Sequence, residues 1–220
     1  AVGLDDVVDK FPEPVLKVGE VVGNISAEAA EIFGLSKKTV VVEGTADCNA
    51  CMFGVGGVRP NGMTLIGGTS TCLLGLSEEE FHVDGVNGTY PNCMYDGTSL
   101  LEGGQTAAGS ILTWFKNNLL PAAWMQEAVN RNMNIYDLIT EKASAVPIGC
   151  DGLVMMDYFQ GNRAPYADSK ARGMFWGLSI GTTPAHLARA VYEGVAYGAN
   201  HCIVSMKKAG YDVKEIYACG

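Results

Sequence analysis

The chain has 220 residues, of which 48% are hydrophobic and 18% are charged, so it can bury a sizeable core and does not have the composition of a disordered segment. Acidic residues outnumber basic ones by 24 to 15. Together with the lack of a long Lys/Arg run, this argues against nucleic acid and anionic membranes as partners. The seven cysteines show no framework spacing, and no apolar stretch reaches the ~18 residues of a membrane span. We therefore expect reduced thiols and a cytoplasmic location.

The N-terminal part of the chain predicts a helix and then a strand that leads to an acidic residue. In SAEAAEIFGL, Ser26 is a favourable N-cap, and Gly34 favours the end of the helix. The β-branched run TVVVEG at 39–44 predicts a strand that is buried on both faces. Asp47 follows this strand, and open α/β sheets bind ligands beyond the carboxyl ends of their strands. Asp47 is therefore a candidate site residue.

The next segments predict a hairpin and a helix. The sequence GMTLIGGTSTCLLGLS at 62–77 predicts two strands around Gly67-Gly68-Thr69-Ser70, and Gly-Gly favours a primed hairpin turn. The sequence EGGQTAAGSILTWFKNNLL at 102–120 predicts a helix opened by glycines. Its helical spacing predicts one buried stripe of Ile111, Phe115 and Leu119.

The second half of the chain continues the alternation of strands and helices. GLVMMDYF at 152–159 predicts a second buried strand. An N-cap at Thr183, Pro184 in the first turn and Gly210 past the end predict a helix of roughly 26 residues. EIYACG then predicts a further strand, so the fold class is α/β. The sequence begins without an initiator region and stops at a strand–loop junction, and we expect a piece of a longer protein.

Cys48 and Cys51 form a CxxC pair, which is a candidate for redox or metal chemistry. A structural zinc site needs four ligands, whereas Cys72 and Cys93 are isolated and the three histidines show no ligand spacing. The alternative is a pair of buried thiols that pack like Ala or Ser. We expect no metal site on this pair.

Three further features each have a functional and a structural interpretation. Asp47 is placed to act as a base or a metal ligand, but it could also cap the next helix. The Gly67–Ser70 turn could expose backbone N–H groups as an anion nest with hydroxyl donors from Thr69 and Ser70, or it could be a plain hairpin. Arg163 and Asp168 could pair across their loop, either as a structural clamp or around a ligand.

Five motifs stand in an order that resembles the second half of the FGGY carbohydrate kinases. They are GTADCNACMFGVGG, LIGGTST, EGGQTAAGSILTWF, DYFQGNRAPYADSKARGMFWGLSIGTTPAHLARAVYEGVAYG and EIYACG. Residues 173–193 resemble the C-terminal signature of the family, Gly-x-aromatic-x-Gly-Leu followed by His-Leu-x-x-Ala-Val-Tyr-Glu. The resemblance covers nearly the whole chain.

The resemblance implies an actin-like, ribonuclease-H-like fold, with a mixed sheet flanked by helices. Residues 1–50 would be the tail of an N-terminal domain that carries the catalytic aspartate, and residues 51–220 would be a C-terminal, nucleotide-binding domain that stops at the adenosine loop. The implied site residues are Asp47 as the catalytic base, Cys48 toward the substrate, and Gly68, Thr69, Ser70, Gly109 and Gly220 toward the nucleotide.

The implied reaction is transfer of the γ-phosphoryl group of ATP, with Mg²⁺, to a hydroxyl of a pentulose or polyol. This chemistry depends on positioning and charge neutralisation, so it needs no basic patch. Two alternatives stay open: an actin-like ATPase without a sugar substrate, and a CxxC redox or metal module. A small-molecule sugar is the expected partner, and a homodimer is left open.

Overall fold

The computed structural model describes residues 3, 6–11, 13–82 and 85–220. The helices are α1 (Ala27–Phe33), α2 (Asp47–Val55), α3 (Gly109–Asn118), α4 (Ala122–Asn130), α5 (Ile135–Ser144) and α6 (Pro184–Lys208). The strands are β1 (Val21–Asn24), β2 (Val40–Val42), β3 (Gly62–Gly67), β4 (Thr71–Ser77), β5 (Asn87–Pro91), β6 (Ser99–Gln105), β7 (Val154–Met156), β8 (Met174–Trp176) and β9 (Glu215–Cys219). None of the helices in these ranges is long and apolar enough to cross a membrane.

A five-stranded mixed sheet forms the centre of the fold, with the strand order β5-β6-β4-β3-β9. The neighbours from β5 to β3 run antiparallel, whereas β9 joins the edge of β3 in parallel. Residues 62–105 contribute β3 to β6, so these pairings are local in the sequence. In contrast, β9 reaches β3 only after the long helix α6, which makes the crossover that a parallel pair requires. The predicted mixed sheet flanked by helices is confirmed.

The two faces of this sheet are covered by different helices, as the two-residue period of strands requires. On one face, Met63, Leu73 and Leu101 pack with Cys202 and Met206 of α6. On the other face, Leu74, Leu76 and Leu100 pack with Met52 of α2. The result is a three-layer arrangement in which the sheet lies between α2 and α6.

A second core lies beside the sheet and is mainly helical. Ile111 and Phe115 of α3, Ile139 of α5 and Val191 of α6 meet Met155 of the short strand β7 there. The longest helix, α6, therefore contributes to both cores: Val191 packs in this cluster, and Cys202 and Met206 pack against the sheet. The predicted caps of α6 are confirmed: Thr183 is the N-cap in a capping box with His186, and Pro184 opens the helix.

Two predictions about strands need correction. The run at 39–44 forms only the short strand β2, which pairs with β1 as a separate two-stranded sheet. All three of its valines are exposed, since no other layer covers this sheet within the described residues. The run at 152–159 is a strand only over β7, where Val154 is exposed and Met155 is buried.

The boundary between β6 and α3 also differs from the prediction of one helix over 102–120. Residues 102–105 belong to β6, because all four pair with β4 and Glu102 also pairs with β5, and the helix starts only at Gly109. Ile111 and Phe115 are buried as expected, whereas Leu119 is the C-terminal cap and stays 36% exposed.

The predicted boundary between two domains after residue 50 falls inside α2. This helix packs as one unit against the sheet through Met52. The division of the chain into two domains stays a prediction.

Candidate functional site

Asp47 is the first residue of α2, and its side chain is exposed. The N-cap position is held by Ala46, whose methyl group cannot accept a capping hydrogen bond. The Asp47 carboxylate instead accepts a hydrogen bond from the backbone N–H of Cys48 through Oδ1, at 2.7 Å. A carboxylate in the first turn is favoured by the positive end of the helix. One carboxylate oxygen is thus engaged at the helix start, and the exposed side chain remains open to a ligand.

The glycine-rich turn between β3 and β4 comprises Gly68, Thr69 and Ser70, which are all exposed. It is not the primed turn that we expected, because neither Gly67 nor Gly68 adopts a positive φ. Gly68 closes the loop by donating its N–H to the Ser70 carbonyl at 2.9 Å. The three-residue loop Gly68–Ser70 therefore needs no left-handed backbone.

The carbonyl groups of this loop hold the start of α3. The Gly68 carbonyl accepts from the N–H of Gly109 at 3.0 Å, and the Thr69 carbonyl accepts from Ala108 and Ser110 at 2.9 and 3.1 Å. The N–H groups of Thr69 and Ser70 donate to no other residue in the described part of the chain. These donors and the two hydroxyl groups can therefore serve an anion such as a phosphate.

Two glycines allow the close approach of backbones around the loop. A Cβ at Gly109 would lie 2.6 Å from the Gly68 carbonyl oxygen. Gly220 has φ 146° and lies against the backbone of Gly67, where a side chain has no room. The loop, the start of α3 and the end of β9 therefore meet at one end of the sheet.

The start of α2 lies at the same end of the sheet. Cys51 stands one helical turn after Asp47, and α2 packs against β9, where Cys219 at the end of the strand is the neighbour of Cys51. The four-residue step from Asp47 to Cys51 rises only about 6 Å along the helix, so Asp47 lies at this end of the sheet as well. The structure thus gathers around one edge all of the site residues that the sequence analysis named: Asp47, Cys48, Gly68, Thr69, Ser70, Gly109 and Gly220.

The two cysteines of the CxxC pair have separate partners. Cys48 packs beside Leu74 and donates its thiol to Asn49, whereas Cys51 faces Cys219. Partial burial, and then the nearby Cys72 and Glu102, raise the pKa of the Cys48 thiol, so it stays neutral. Within the described ranges, no three His, Cys, Asp or Glu side chains cluster in a way that could hold a metal ion.

An ion pair that no sequence pattern indicated lies beside Cys48. Glu102 of β6 forms a partly buried ion pair with Arg163, and Cys72 of β4 lies against both side chains. Burial alone would lower the pKa of Arg163, but the Glu102 carboxylate raises it. Only the pairing of β4 with β6 brings these groups together, so no local signal in the sequence could reveal them.

The predicted pair of Arg163 and Asp168 is wrong. Asp168 instead closes its own loop, since its carbonyl accepts from the N–H of Asn162 and its Oδ1 accepts from the N–H of Lys170. Arg163 instead forms an ion pair with Glu102 of β6.

Comparison with known proteins places this arrangement in a family. Residues 63–220 match the C-terminal domain of the FGGY family of carbohydrate kinases. A ribulokinase of Staphylococcus aureus (strain Mu3 / ATCC 700698) is 33% identical over 214 residues, which are 97% of this chain and 39% of the relative. Ribulokinase 2 of Staphylococcus saprophyticus is 34% identical over 218 residues, covering 99% of this chain and 40% of that protein.

Solved structures show the same fold. The crystal structure of xylulose kinase from Rhodospirillum rubrum matches with a TM-score of 0.77 and 28% identity, over 97% of this chain and 42% of that one. The chain spans about two fifths of the length of these relatives. The family match over 63–220, the ribulokinase relatives and the shared fold agree, and the chain belongs to the FGGY family of carbohydrate kinases.

Proposed function

We propose that the protein carrying this chain transfers the γ-phosphoryl group of ATP to a hydroxyl of a pentulose or polyol, in the cytoplasm. The observation that carries the proposal is that the start of α2, with Asp47, and the Gly68–Ser70 loop lie at the same end of the central sheet. A proton acceptor and a set of anion donors at one edge are the two parts that phosphoryl transfer to an alcohol requires.

The loop fits the phosphate groups of a nucleotide. It offers two unused backbone N–H groups and two hydroxyls at an exposed position, and the carbonyls of Gly68 and Thr69 are bonded to the start of α3. Gly109 and Gly220 keep the surrounding backbone free of side chains. Because these donors are neutral, phosphate binding does not depend on a basic patch, in agreement with the net charge of −9.

The same edge could hold Mg²⁺ only if phosphate oxygens of a bound nucleotide supplied part of its ligands. Mg²⁺ keeps several waters and takes one or two carboxylates together with phosphate oxygens. The exposed Asp47 is the carboxylate that this edge offers beside the loop, and no larger ligand cluster exists among the described side chains. When bound, the ion would neutralise charge on the phosphate oxygens.

Asp47 would orient the attacking hydroxyl and receive its proton. As the hydroxyl oxygen bonds to phosphorus, the bond from phosphorus to the ADP oxygen breaks, and the hydroxyl proton passes to the carboxylate. The Cys48 N–H holds Oδ1 at 2.7 Å, so the acceptor is fixed before the alcohol arrives. Such prior positioning supplies much of the rate of an enzyme.

The acceptor alcohol would lie beside Cys48. A neutral thiol there offers little to a sugar hydroxyl, whereas the Glu102–Arg163 pair next to it offers both an acceptor and a donor. The named relatives are ribulokinases and a xylulose kinase, which favours a ketopentose such as ribulose or xylulose over a polyol. These relatives also make an ATPase without a sugar substrate the weaker candidate.

The test is Asp47→Asn in the full-length protein, with Asp212→Asn as a matched control at an exposed carboxylate outside this edge. We expect kcat for the best substrate of a panel of pentuloses, hexuloses and polyols to fall by about 10²-fold or more, with little change in ATP affinity. Near-wild-type turnover of Asp47→Asn would refute the assigned role. ATP consumption that no sugar accelerates would favour the ATPase without a sugar substrate.

A further inference from the structure

Two cysteines from distant parts of the sequence are neighbours beside the proposed site. Cys219 of β9 is paired in register with Ile66 of β3, and Ile66 packs into the cluster under α2. Cys219 therefore faces α2, which packs against β9, and Cys51 of α2 is its neighbouring thiol. Both side chains are partly buried, so small reagents can reach them.

The other cysteines have partners of a different kind. Cys48 donates to Asn49, and Cys93 accepts from the same amide. Cys150 and Cys202 are buried and donate to backbone carbonyls. Cys72 lies against the Glu102–Arg163 ion pair. Each of these five cysteines thus has a polar partner, whereas Cys51 and Cys219 are neighbours that make no side-chain hydrogen bond to a polar group within the described chain.

We propose that Cys51 and Cys219 form an oxidisable thiol pair, at which a peroxide- or disulfide-class oxidant joins α2 to β9 through a disulfide. With a peroxide, one thiolate attacks the peroxide oxygen and becomes a sulfenic acid, and the O–O bond breaks. The second thiol then attacks that sulfur, forming the S–S bond and releasing water. The two sulfurs lose two electrons, which reduce the two peroxide oxygens, and the two thiol protons leave in the water formed.

The reaction depends on pH in a defined direction. Partial burial and the neighbouring Cys51 raise the pKa of Cys219, and the thiolate is the reactive form. Oxidation of the pair should therefore be slow near neutral pH and faster as the pH rises. A site of this kind responds to strong or sustained oxidant rather than to small fluctuations.

The position of the pair predicts that the disulfide lowers turnover, an effect that rests on the proposed function. Cys51 lies one turn after Asp47, and Cys219 immediately precedes Gly220. A covalent link between them restrains the helix that carries the proposed base and the strand that leads to the nucleotide. Since small errors in the placement of reacting groups can cost up to ~10²-fold in rate, we expect oxidation to reduce turnover reversibly.

The experiment treats the reduced full-length protein with hydrogen peroxide, or with oxidised glutathione, at pH values from neutral to mildly alkaline. Free thiols are then alkylated, and the peptides are mapped by mass spectrometry without reduction. We expect a linked peptide that joins Cys51 to Cys219 in the wild type and in a Cys93→Ser control. Cys51→Ser and Cys219→Ser should both lack it. A Cys48–Cys51 link in its place, or alkylation of both Cys51 and Cys219 after oxidation, would overturn the proposal.

Kinase turnover provides the second readout. We expect oxidation to lower kcat by about tenfold or more, in line with the cost of misplaced groups, and dithiothreitol to restore it, whereas Cys51→Ser should resist the loss. An oxidised protein with the mapped link and full turnover would overturn the coupling to catalysis. A reduced protein that phosphorylates no sugar would refute the proposed function, while peptide mapping would still decide the thiol pair.

Discussion

Gln105 donates a hydrogen bond from Nε2 to Oδ2 of Asp157 at 2.6 Å, in a buried position beneath α6. The same Nε2 group donates to the carbonyl of Val195 at 2.9 Å. Gln105 ends β6, Asp157 follows β7, and Val195 belongs to α6. The Gln105 amide therefore links the central sheet, the helical core and the long helix. Helix α3 begins only a few residues after Gln105, at Gly109.

The first prediction concerns Gly198 on α6, which packs over this pair. A Cβ at Gly198 would lie 2.5 Å from Nε2 of Gln105 and would also overlap the Asp157 carboxylate. We expect Gly198→Ala to destabilise the protein by about 1–3 kcal/mol, as overpacking does in cores. Urea unfolding followed by circular dichroism measures this change.

Gly54 is the matched control for that substitution. It lies inside α2, where an added Cβ meets no atom within 4 Å and the backbone has no positive φ. Gly54→Ala should be neutral or stabilise the helix by roughly 0.5–1 kcal/mol. Equal effects of the two substitutions would contradict the role of Gly198 in accommodating the buried pair.

The second prediction follows from the titration of Asp157. Burial raises the pKa of this carboxyl group, although the hydrogen bond from Gln105 opposes the shift. The native state therefore binds its proton more tightly than the unfolded chain, whose aspartates titrate near about 3.9. Since stability falls with rising pH wherever the native state holds more protons, Asp157 costs stability as the pH rises from the unfolded pKa through the native one.

Asp157→Asn removes this titration while it keeps the shape of the side chain. We expect the stability of the variant relative to the wild type to improve as the pH rises from roughly 4 to 7. Urea unfolding at several pH values in this range gives the difference. A difference that does not vary with pH would mean that the native and unfolded pKa values of Asp157 are equal.

The parts of the fold that the sequence predicted are those set by local chemistry. The caps and spacing of α6 lie within the helix itself, and the strand pattern of β3 and β4 lies within one hairpin. The sequence pattern predicted a helix at the end of β6, because the glycines and Gln105 there carry no pattern that distinguishes a strand from a helix. Its strand conformation comes from pairing with β4, and at Glu102 also with β5, which a local sequence pattern does not report.

The candidate site divides in the same way. Asp47 and the Gly68–Ser70 loop stood out because their residue types carry a local chemical meaning at strand ends. The Glu102–Arg163 pair did not, since its two residues come from a strand and a distant loop. The Cys51–Cys219 contact likewise depends on the parallel pairing of β9 with β3, which closes the sheet only at the end of the chain.

The third prediction concerns Tyr211, which is fully buried against the sheet. Its hydroxyl donates to the carbonyls of Gly62 and Leu76, at 2.5 and 3.2 Å, and Gly75 leaves the room that the ring needs. Tyr211→Phe leaves buried carbonyl oxygens without this donor, so we expect a loss of about 1–3 kcal/mol in unfolding free energy.

Tyr217→Phe serves as the control for Tyr211→Phe in thermal or urea unfolding. The Tyr217 hydroxyl donates to Glu215 in an exposed pair, which water can replace, so its removal should change stability by less than about 0.5 kcal/mol. A change in Tyr211→Phe as small as that in Tyr217→Phe would show that the buried hydroxyl adds no stability of its own.

The fourth prediction concerns Gly109, whose N–H holds the Gly68 carbonyl. A Cβ there would lie 2.6 Å from that carbonyl oxygen, so Gly109→Ala should push the Gly68–Ser70 loop away from α3. Because the loop is proposed to bind the phosphates, ATP affinity of the full-length protein should fall by about tenfold, or ~1.4 kcal/mol. Calorimetric titration with ATP measures this affinity. Gly54→Ala is the control: its added Cβ meets no atom within 4 Å, so this variant should bind ATP as the wild type does. Unchanged affinity in a folded Gly109→Ala variant would separate the loop from nucleotide binding.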